Sequence, residues 1–121
     1  MENRNAVTQR QRLQQRREAH RRLLWSEAER LAAEAANLGV LRVILFGSLA
    51  RGDENLFSDM DLLMVWETPL DFLERTVELY RRLQPRVAAD FLVYTPAEME
   101  RMASTPLVRR ALEEGKVLYE A

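Results

Sequence analysis

The stretch LFGSLARGDENLFSDMDLLMVW, residues 45–66, decides the fold. An apolar run ends at Gly47 and Ser48, and a segment rich in Gly, Asn, Ser and charged residues follows. Asp59 and Asp61 come next, and a continuous apolar run resumes immediately after them. Because side chains alternate across a strand, the two aspartates share one face, about 7 Å apart along the strand. Two such carboxylates repel each other and are tolerated where they are solvated or hold a cation. The apolar run that follows Asp59 predicts a strand, and we expect a functional site where this strand begins.

A third carboxylate, Asp90, interrupts the apolar run RVAADFLVY, residues 86–94, which predicts another strand. A buried aspartate needs a partner, and an arginine is one alternative. If this strand lies beside the strand at 60–66, Asp90 points at the same place as the other two carboxylates. Hard divalent cations such as Mg²⁺ favour oxygen ligands, and three carboxylates around two ions suit in-line displacement at phosphorus.

Gly47 and Ser48 predict a phosphate-binding site opposite these carboxylates. Glycine permits close backbone approach, and a serine that opens a helical turn after a strand presents its hydroxyl and free N–H groups to an anion. Phosphoryl or nucleotidyl transfer requires this combination of phosphate contacts and metal ligands. Taken singly, Gly-Ser is usually an ordinary turn and Asp-x-Asp a solvated loop, so the hypothesis depends on their joint occurrence.

The composition predicts one globular domain. The chain has 121 residues, of which 47% are hydrophobic and 31% charged. It has no apolar run of the roughly 20 residues that span a bilayer, and its polar, Arg-rich residues 1–20 do not resemble a signal peptide. It has no cysteine, so disulfides and thiolate metal sites are excluded. We expect a cytoplasmic protein without a membrane association.

The positive charge is concentrated at the N-terminus. Residues 1–25 hold seven arginines against two glutamates, although the net charge of the chain is −1. Such asymmetry can mark an arm that binds nucleic acid or a partner, and a solvated helix face is the ordinary alternative. Residues 7–38 predict one long helix that ends at Gly39. We divide the chain into an Arg-rich helical extension, residues 1–22, and a single domain, residues 23–121.

The remaining pattern predicts an α/β or α+β fold with a small sheet and helices mainly on one face. Strands are predicted at 40–46, 60–66 and 86–94, and helices at about 69–84, 96–103 and 106–114. The helix starts are marked by Thr68, Thr95 and Thr105, each followed by proline, and Glu98 completes a capping box with Thr95. The segment KVLYE, 116–120, is either a short strand or a packed tail. Whether the first two strands run parallel stays open.

The central stretch resembles the signature of the nucleotidyltransferase superfamily of DNA polymerase beta. That signature is Gly47 and Ser48, ten intervening residues, and then Asp59-Met60-Asp61. The form GSLARGD…SDMDLLMVW is most similar to the minimal branch, the MNT domains of prokaryotic HEPN–MNT toxin–antitoxin pairs. The likeness covers about residues 40–120, through ADFLVYTPAE to the tail LVRRALEEGKVLYE. It implies a nucleotidyltransferase fold, with a small mixed sheet and flanking helices beside the long N-terminal helix.

The resemblance also implies roles for particular residues. It implies that Gly47 and Ser48 bind the phosphates of ATP. It implies that Mg²⁺, as two ions, is held by Asp59, Asp61 and Asp90. Of these, Asp90 would also help to activate the acceptor hydroxyl.

Arg51 matches a basic position of the branch, where it touches phosphate or braces the loop. The implied partner is a HEPN ribonuclease toxin, which would be neutralised by transfer of AMP from ATP to one of its tyrosines. Two alternatives are an antitoxin that acts by binding alone, with a vestigial site, and a small-molecule nucleotidyltransferase of the aminoglycoside type. Direct nucleic-acid binding by the Arg-rich helix is a further alternative.

Overall fold

The computed structural model describes residues 4–121, with side chains from residue 8 onward. Five helices and four strands are formed in these residues: α1 (Arg4–Asn37), β1 (Arg42–Phe46), α2 (Ser48–Arg51), β2 (Met60–Val65), α3 (Phe72–Leu83), β3 (Ala89–Tyr94), α4 (Pro96–Met102), α5 (Pro106–Glu114) and β4 (Lys116–Glu120). No helix in the described part of the chain is long and apolar enough to cross a membrane.

The four strands form one mixed sheet in the order β3-β2-β1-β4. β1 pairs antiparallel with both β2 and β4, whereas β2 and β3 are parallel and are connected through α3. The first two strands are therefore antiparallel, and the segment KVLYE is a strand. The predicted mixed sheet with flanking helices and a long N-terminal helix is confirmed.

Helices cover both faces of the sheet, so the expectation of helices mainly on one face is wrong. Val43 and Leu45 of β1 pack in a first core cluster with α1 and α3. Ile44, which points the other way, packs in a second core cluster with α4 and α5. The central strands are buried on both faces because their apolar residues run continuously rather than alternating with polar ones.

Two predicted strands start too early because apolar side chains outside the strands also reach the core. β1 begins at Arg42, although Val40 before it is 1% exposed and belongs to the first core cluster. β3 begins at Ala89, and Val87 packs on the same cluster from the preceding loop. β2 ends at Val65. α1 spans Arg4–Asn37, and residues 1–3 of the predicted extension lie outside the described residues.

The three Thr-Pro pairs do not all start helices. Thr95 forms the predicted capping box with Glu98 at the start of α4. Thr105 stands at the N-cap of α5, but its hydroxyl donates to Met102 O at 2.6 Å instead of capping the helix. Thr68 accepts from Leu70 N within a local turn, and α3 is capped by Asp71, which accepts from the backbone N–H of Glu74 at 2.8 Å.

Candidate functional site

Three neighbouring strands bring the predicted site residues into one row. Phe46, which ends β1, lies opposite Asp61 at the start of β2, so Gly47 follows directly beside Asp61. In the parallel pairing of β2 with β3, Asp61 lies opposite Asp90. Adjacent strands are about 4.8 Å apart, so the register makes Asp61 and Asp90 neighbours on the same face. This is the face covered by α4 and α5.

Gly47 fits tightly against Asp61. Its φ of 78° and ψ of −158° lie in a region that is essentially open to glycine alone. A Cβ atom added at this position would overlap Oδ2 of Asp61. The absence of a side chain at Gly47 therefore lets the Asp61 carboxylate lie against the backbone of the turn.

Ser48 opens α2, a single four-residue turn. Its carbonyl accepts from the backbone N–H groups of Gly52 and Asp53, which closes the turn. Within residues 8–121, the Ser48 hydroxyl has no hydrogen-bond partner and is not a buried unpaired atom. The hydroxyl is thus free to contact a ligand beside Gly47.

The electrostatics of the row are set by uncompensated negative charge. Burial raises the pKa of Asp61, and the charges of Asp90 and Asp59 raise it further, while Arg51 partly offsets the shift. None of the three aspartates makes an ion pair with another described residue. Three neighbouring carboxylates without a direct counter-charge form a region of negative potential that attracts cations.

Asp90 differs from the sequence expectation, because its side chain is exposed rather than buried. β3 is an edge strand of the sheet, and Asp90 lies near its first residue. It therefore requires no arginine partner, and the structure provides none among the described side chains. Exposure leaves Asp90 accessible to a substrate that approaches from solvent.

The carboxylates offer suitable chemistry for Mg²⁺ without forming a compact ligand cluster. In the described residues, no group of three or more His, Cys, Asp or Glu side chains is placed to hold a metal ion. Mg²⁺, however, usually binds through one or two carboxylates and completes its octahedron with waters and substrate phosphates. The adjacent, unpaired Asp61 and Asp90 supply this donor set, with Asp59 just before β2. The residues present therefore fit Mg²⁺ bound together with a nucleotide.

A cavity of about 180 Å³ adjoins Gly47 on the α5 side of the sheet. It is lined by Phe46, Gly47, Arg51, Leu107, Arg110, Ala111 and Glu114. Arg51 makes ion pairs with Asp53 at 3.2 Å and Glu114 at 3.5 Å, so it braces the loop against α5.

Arg110 lines the same cavity and makes no ion pair with another described residue. Sequence reasoning missed Arg110, because only the packing of α5 brings it to the site.

Tyr80 of α3 is a second residue that the sequence did not identify. Its hydroxyl donates to Ala89 O at 2.5 Å and accepts from Phe91 N at 3.0 Å. Its ring stacks on Phe91 with 4.2 Å between the ring centroids. The two backbone groups flank Asp90, so Tyr80 fixes the edge-strand segment that carries this aspartate.

Comparison with known proteins identifies the family. Residues 29–121 match the sequence profile of "Polymerase beta, Nucleotidyltransferase". The chain belongs to the polymerase beta nucleotidyltransferase family. The predicted family and enzyme class are thereby confirmed. This nucleotidyltransferase is also 33% identical over 82 residues to a Methanocaldococcus jannaschii protein named "Putative protein adenylyltransferase", an alignment that covers 66% of this chain and 79% of the relative.

Solved structures show the same fold. A crystal structure from Sulfolobus solfataricus, described as a "putative nucleotidyltransferase", superposes with a TM-score of 0.61 at 25% identity, covering 85% of each chain. A second, described as "the toxin-antitoxin with AMP-PNP", superposes with a TM-score of 0.54 at 22% identity. It covers 78% of this nucleotidyltransferase and 73% of the other chain, and the likeness is one of fold.

Proposed function

We propose that this nucleotidyltransferase is an antitoxin that transfers AMP from ATP to a tyrosine hydroxyl of a partner HEPN ribonuclease toxin and so neutralises it. The observation that carries the proposal is the row formed by Gly47, Asp61 and Asp90, with an unpaired Ser48 hydroxyl beside it. Two comparisons support it. One relative is named as a protein adenylyltransferase, and one chain of the same fold was crystallised as a toxin–antitoxin with an ATP analogue.

In the proposed mechanism, Gly47 and Ser48 contact the phosphates of ATP through the turn after β1. Asp59, Asp61 and Asp90 would hold Mg²⁺ as two ions. When bound, Mg²⁺ would neutralise phosphate charge and make the attacking hydroxyl easier to deprotonate. Arg51 keeps the loop braced against α5.

The Asp90 carboxylate is exposed at the edge of the sheet, where a partner's tyrosine can reach it, and it accepts the proton of the tyrosine hydroxyl. The tyrosine oxygen forms a bond to the α-phosphorus of ATP. The bond from that phosphorus to the oxygen that bridges to the β-phosphate breaks, and pyrophosphate leaves. Since Asp59 and Asp90 are both exposed, a hydroxyl on a large partner can reach them without entering a deep cleft.

The proposal is tested with the double variant Asp59→Ala and Asp61→Ala. Purified protein, the HEPN partner, Mg²⁺ and ATP labelled on the α-phosphate are incubated, and label on the partner is measured. We expect labelling to be lost in this variant and on chelation of Mg²⁺. The matched control is Glu67→Ala with Glu100→Ala, which removes two exposed carboxylates elsewhere and should label at the wild-type rate.

Two outcomes would overturn the proposal. A partner that binds the wild-type protein but acquires no label excludes AMP transfer. Neutralisation of the toxin that survives loss of both aspartates shows that binding alone is sufficient. Mass spectrometry of the labelled partner then tests the tyrosine assignment directly.

A further inference from the structure

The N-terminal part of α1 extends away from the rest of the protein. Residues 8–19 are exposed throughout, which is more than three helical turns and therefore includes every side of the helix. The first fully buried side chain of α1 in the described residues is Leu24, which is 1% exposed. We call residues 8–22 the N-terminal arm. It is about 22 Å long at 1.5 Å per residue.

The arm is strongly basic. It contains six arginines and one acidic residue, Glu18. Arg21 pairs with Glu54, in the loop that leads to Asp59. Five arginines of the arm make no ion pair with another described residue. They are Arg10, Arg12, Arg16, Arg17 and Arg22.

This distribution of charge does not stabilise the arm by itself. Arg12 and Arg16 are four residues apart, as are Arg17 and Arg21, and like charges at this spacing destabilise a helix. Residues 8–19 are exposed throughout, so burial does not offset the repulsion between Arg12 and Arg16. A polyanion along the arm would supply the missing counter-charges.

Five of the six arginines lie on two roughly opposite sides of the arm, and Arg22 lies between these sides. With a rotation of about 100° per residue, Arg10, Arg17 and Arg21 share one side. Arg12 and Arg16 share the side opposite to it. A flat acidic surface would contact only one side of the arm. The major groove of duplex DNA, in contrast, has phosphates along both of its walls, so a helix lying in it meets phosphates on two sides. That groove, about 12 Å wide, admits an α-helix.

The other polar residues of the arm favour the same ligand. Four of them are glutamines, at positions 9, 11, 14 and 15. Arginine and glutamine make the bidentate hydrogen bonds that read guanine and adenine edges in the major groove. The arm has no aromatic residue on which the bases of a single strand could stack, and Leu13 is its only large apolar residue.

We infer that the N-terminal arm binds duplex DNA by lying in the major groove, with arginines from both sides contacting phosphates. If each of the five unpaired arginines neutralises one phosphate, the affinity for DNA falls steeply with salt. A plot of log association constant against log salt concentration should then have a slope of about −4 to −4.5.

The inference is tested by fluorescence anisotropy with a labelled DNA duplex at several salt concentrations. The variant R10Q/R17Q removes two charges from one side, and R12Q/R16Q removes two from the other. Glutamine keeps a high helix propensity, which circular dichroism verifies. We expect each variant to weaken binding and to reduce the magnitude of the slope by about 2.

The control variant R101Q/R109Q removes two exposed arginines outside the arm and should leave the affinity within about twofold, since these residues contact no phosphate. The inference is overturned if duplex DNA does not bind at low salt, or if the control weakens binding as much as the arm variants. It is also overturned if only one side of the arm matters, which indicates an acidic protein surface.

Tighter binding to single strands or to duplex RNA contradicts the groove assignment. A salt-sensitive dimer that the arm variants abolish would show that the arm binds a second copy instead. Since the assay contains no ATP and no toxin, its result is independent of the proposed AMP transfer.

Discussion

At Gly47, the lack of a side chain is what allows a carboxylate to approach the backbone. The variant Gly47→Ala would place a methyl group over Oδ2 of Asp61 and force alanine into a region of φ and ψ that it rarely adopts. We expect a cost of about 1–3 kcal/mol in the free energy of unfolding. We also expect displacement of Asp61 to lower the transfer rate by roughly 100-fold. Urea denaturation and a single-turnover assay measure the two effects.

Gly52→Ala is a matched control for this prediction. Gly52 also has a positive φ, 81°, but an added Cβ would meet no atom within 4 Å. This variant should lose stability through backbone strain and keep its transfer rate. A Gly47→Ala protein as active as Gly52→Ala would contradict the role assigned to the close contact with Asp61.

Arg110 is a second residue whose side chain is expected to act in the site. It lines the cavity beside Gly47 without an ion pair, whereas Arg51 in the same cavity is bonded to Asp53 and Glu114. We expect Arg110 to bind the phosphates of ATP, so Arg110→Gln should raise the KM for ATP by roughly 10- to 100-fold.

The neighbouring residue provides the comparison for Arg110. Arg109 does not line the cavity, and its guanidinium donates to Ser104 O at 3.3 Å. Arg109→Gln removes the same charge one position away and should leave the KM for ATP unchanged. Equal effects of the two substitutions would show that α5 acts only through its overall charge.

At the scale of elements, sequence signals located the strands and most helices but not their arrangement. The capping box at Thr95 and the apolar runs are local features, and the structure contains them as predicted. The antiparallel direction of β2 depends on how residues 47–59 fold back, and local spacing does not encode this. The exposure of Asp90 follows from the edge position of β3, which depends on sheet order.

The helices on both faces, in contrast, were encoded in the sequence. Leu62, Leu63 and Met64 are consecutive apolar residues, and all three are fully buried. Consecutive apolar residues in a strand indicate that both of its faces are covered. Arg110 left no such signal, because it reaches the site from a helix distant in sequence. Tyr80 lies only nine residues before Ala89, but its contacts depend on how α3 packs on β3.

α1 is attached to the end of α3 by an ion pair between the buried Glu27 and the partly exposed Arg30. Glu27, 4% exposed, accepts from Arg30 at 2.5 and 2.8 Å and from the backbone N–H of Arg86. Arg30 also donates to the carbonyl oxygens of Leu83 and Gln84. The hydrogen bond from Arg30 lowers the pKa of Glu27 below its ordinary value of 4.5, against the opposing effect of burial.

The pKa shift of Glu27 predicts how stability depends on pH. Because the pKa is lower in the folded than in the unfolded protein, the stabilisation is complete above about pH 4.5 and is lost as the pH falls through the folded value. We expect Glu27→Gln to cost about 1–3 kcal/mol in the free energy of unfolding at pH 7. The difference in the free energy of unfolding between Glu27→Gln and the wild type should shrink as the pH is lowered below 4.5.

Urea denaturation across this pH range measures the effect of Glu27→Gln. The exposed neighbour Glu29→Gln is the control, and it should change stability little at any pH. A Glu27→Gln deficit that stays constant with pH would show that the side chain stabilises by packing rather than by charge.

At the scale of the whole molecule, one helix has two different environments. From Leu24 to Ala35, α1 contributes five buried residues to the first core cluster. Residues 8–19 of the same helix are exposed throughout. Full burial in the described part of α1 begins at Leu24, and the division of the chain at residue 22 stays a prediction.

This division predicts that the N-terminal arm is dispensable for folding. Removal of residues 1–19 keeps Arg21 with its partner Glu54, and the described side chains that it removes, residues 8–19, are all exposed. The free energy of unfolding should therefore change by at most about 0.5 kcal/mol. The transfer rate should be unchanged, while affinity for duplex DNA should fall to that of the rest of the protein. Urea denaturation, the labelling assay and anisotropy measure the three quantities.

A longer truncation, through Ala28, provides the contrast that makes the prediction decisive. It also removes Leu24, Glu27 and Ala28, which are buried, and so opens the first core cluster. Loss of a buried leucine alone costs about 2–5 kcal/mol, so this protein should be strongly destabilised. If the shorter truncation were destabilised to a similar extent, the arm would be part of the folded domain, and it would not be free to enter a DNA groove.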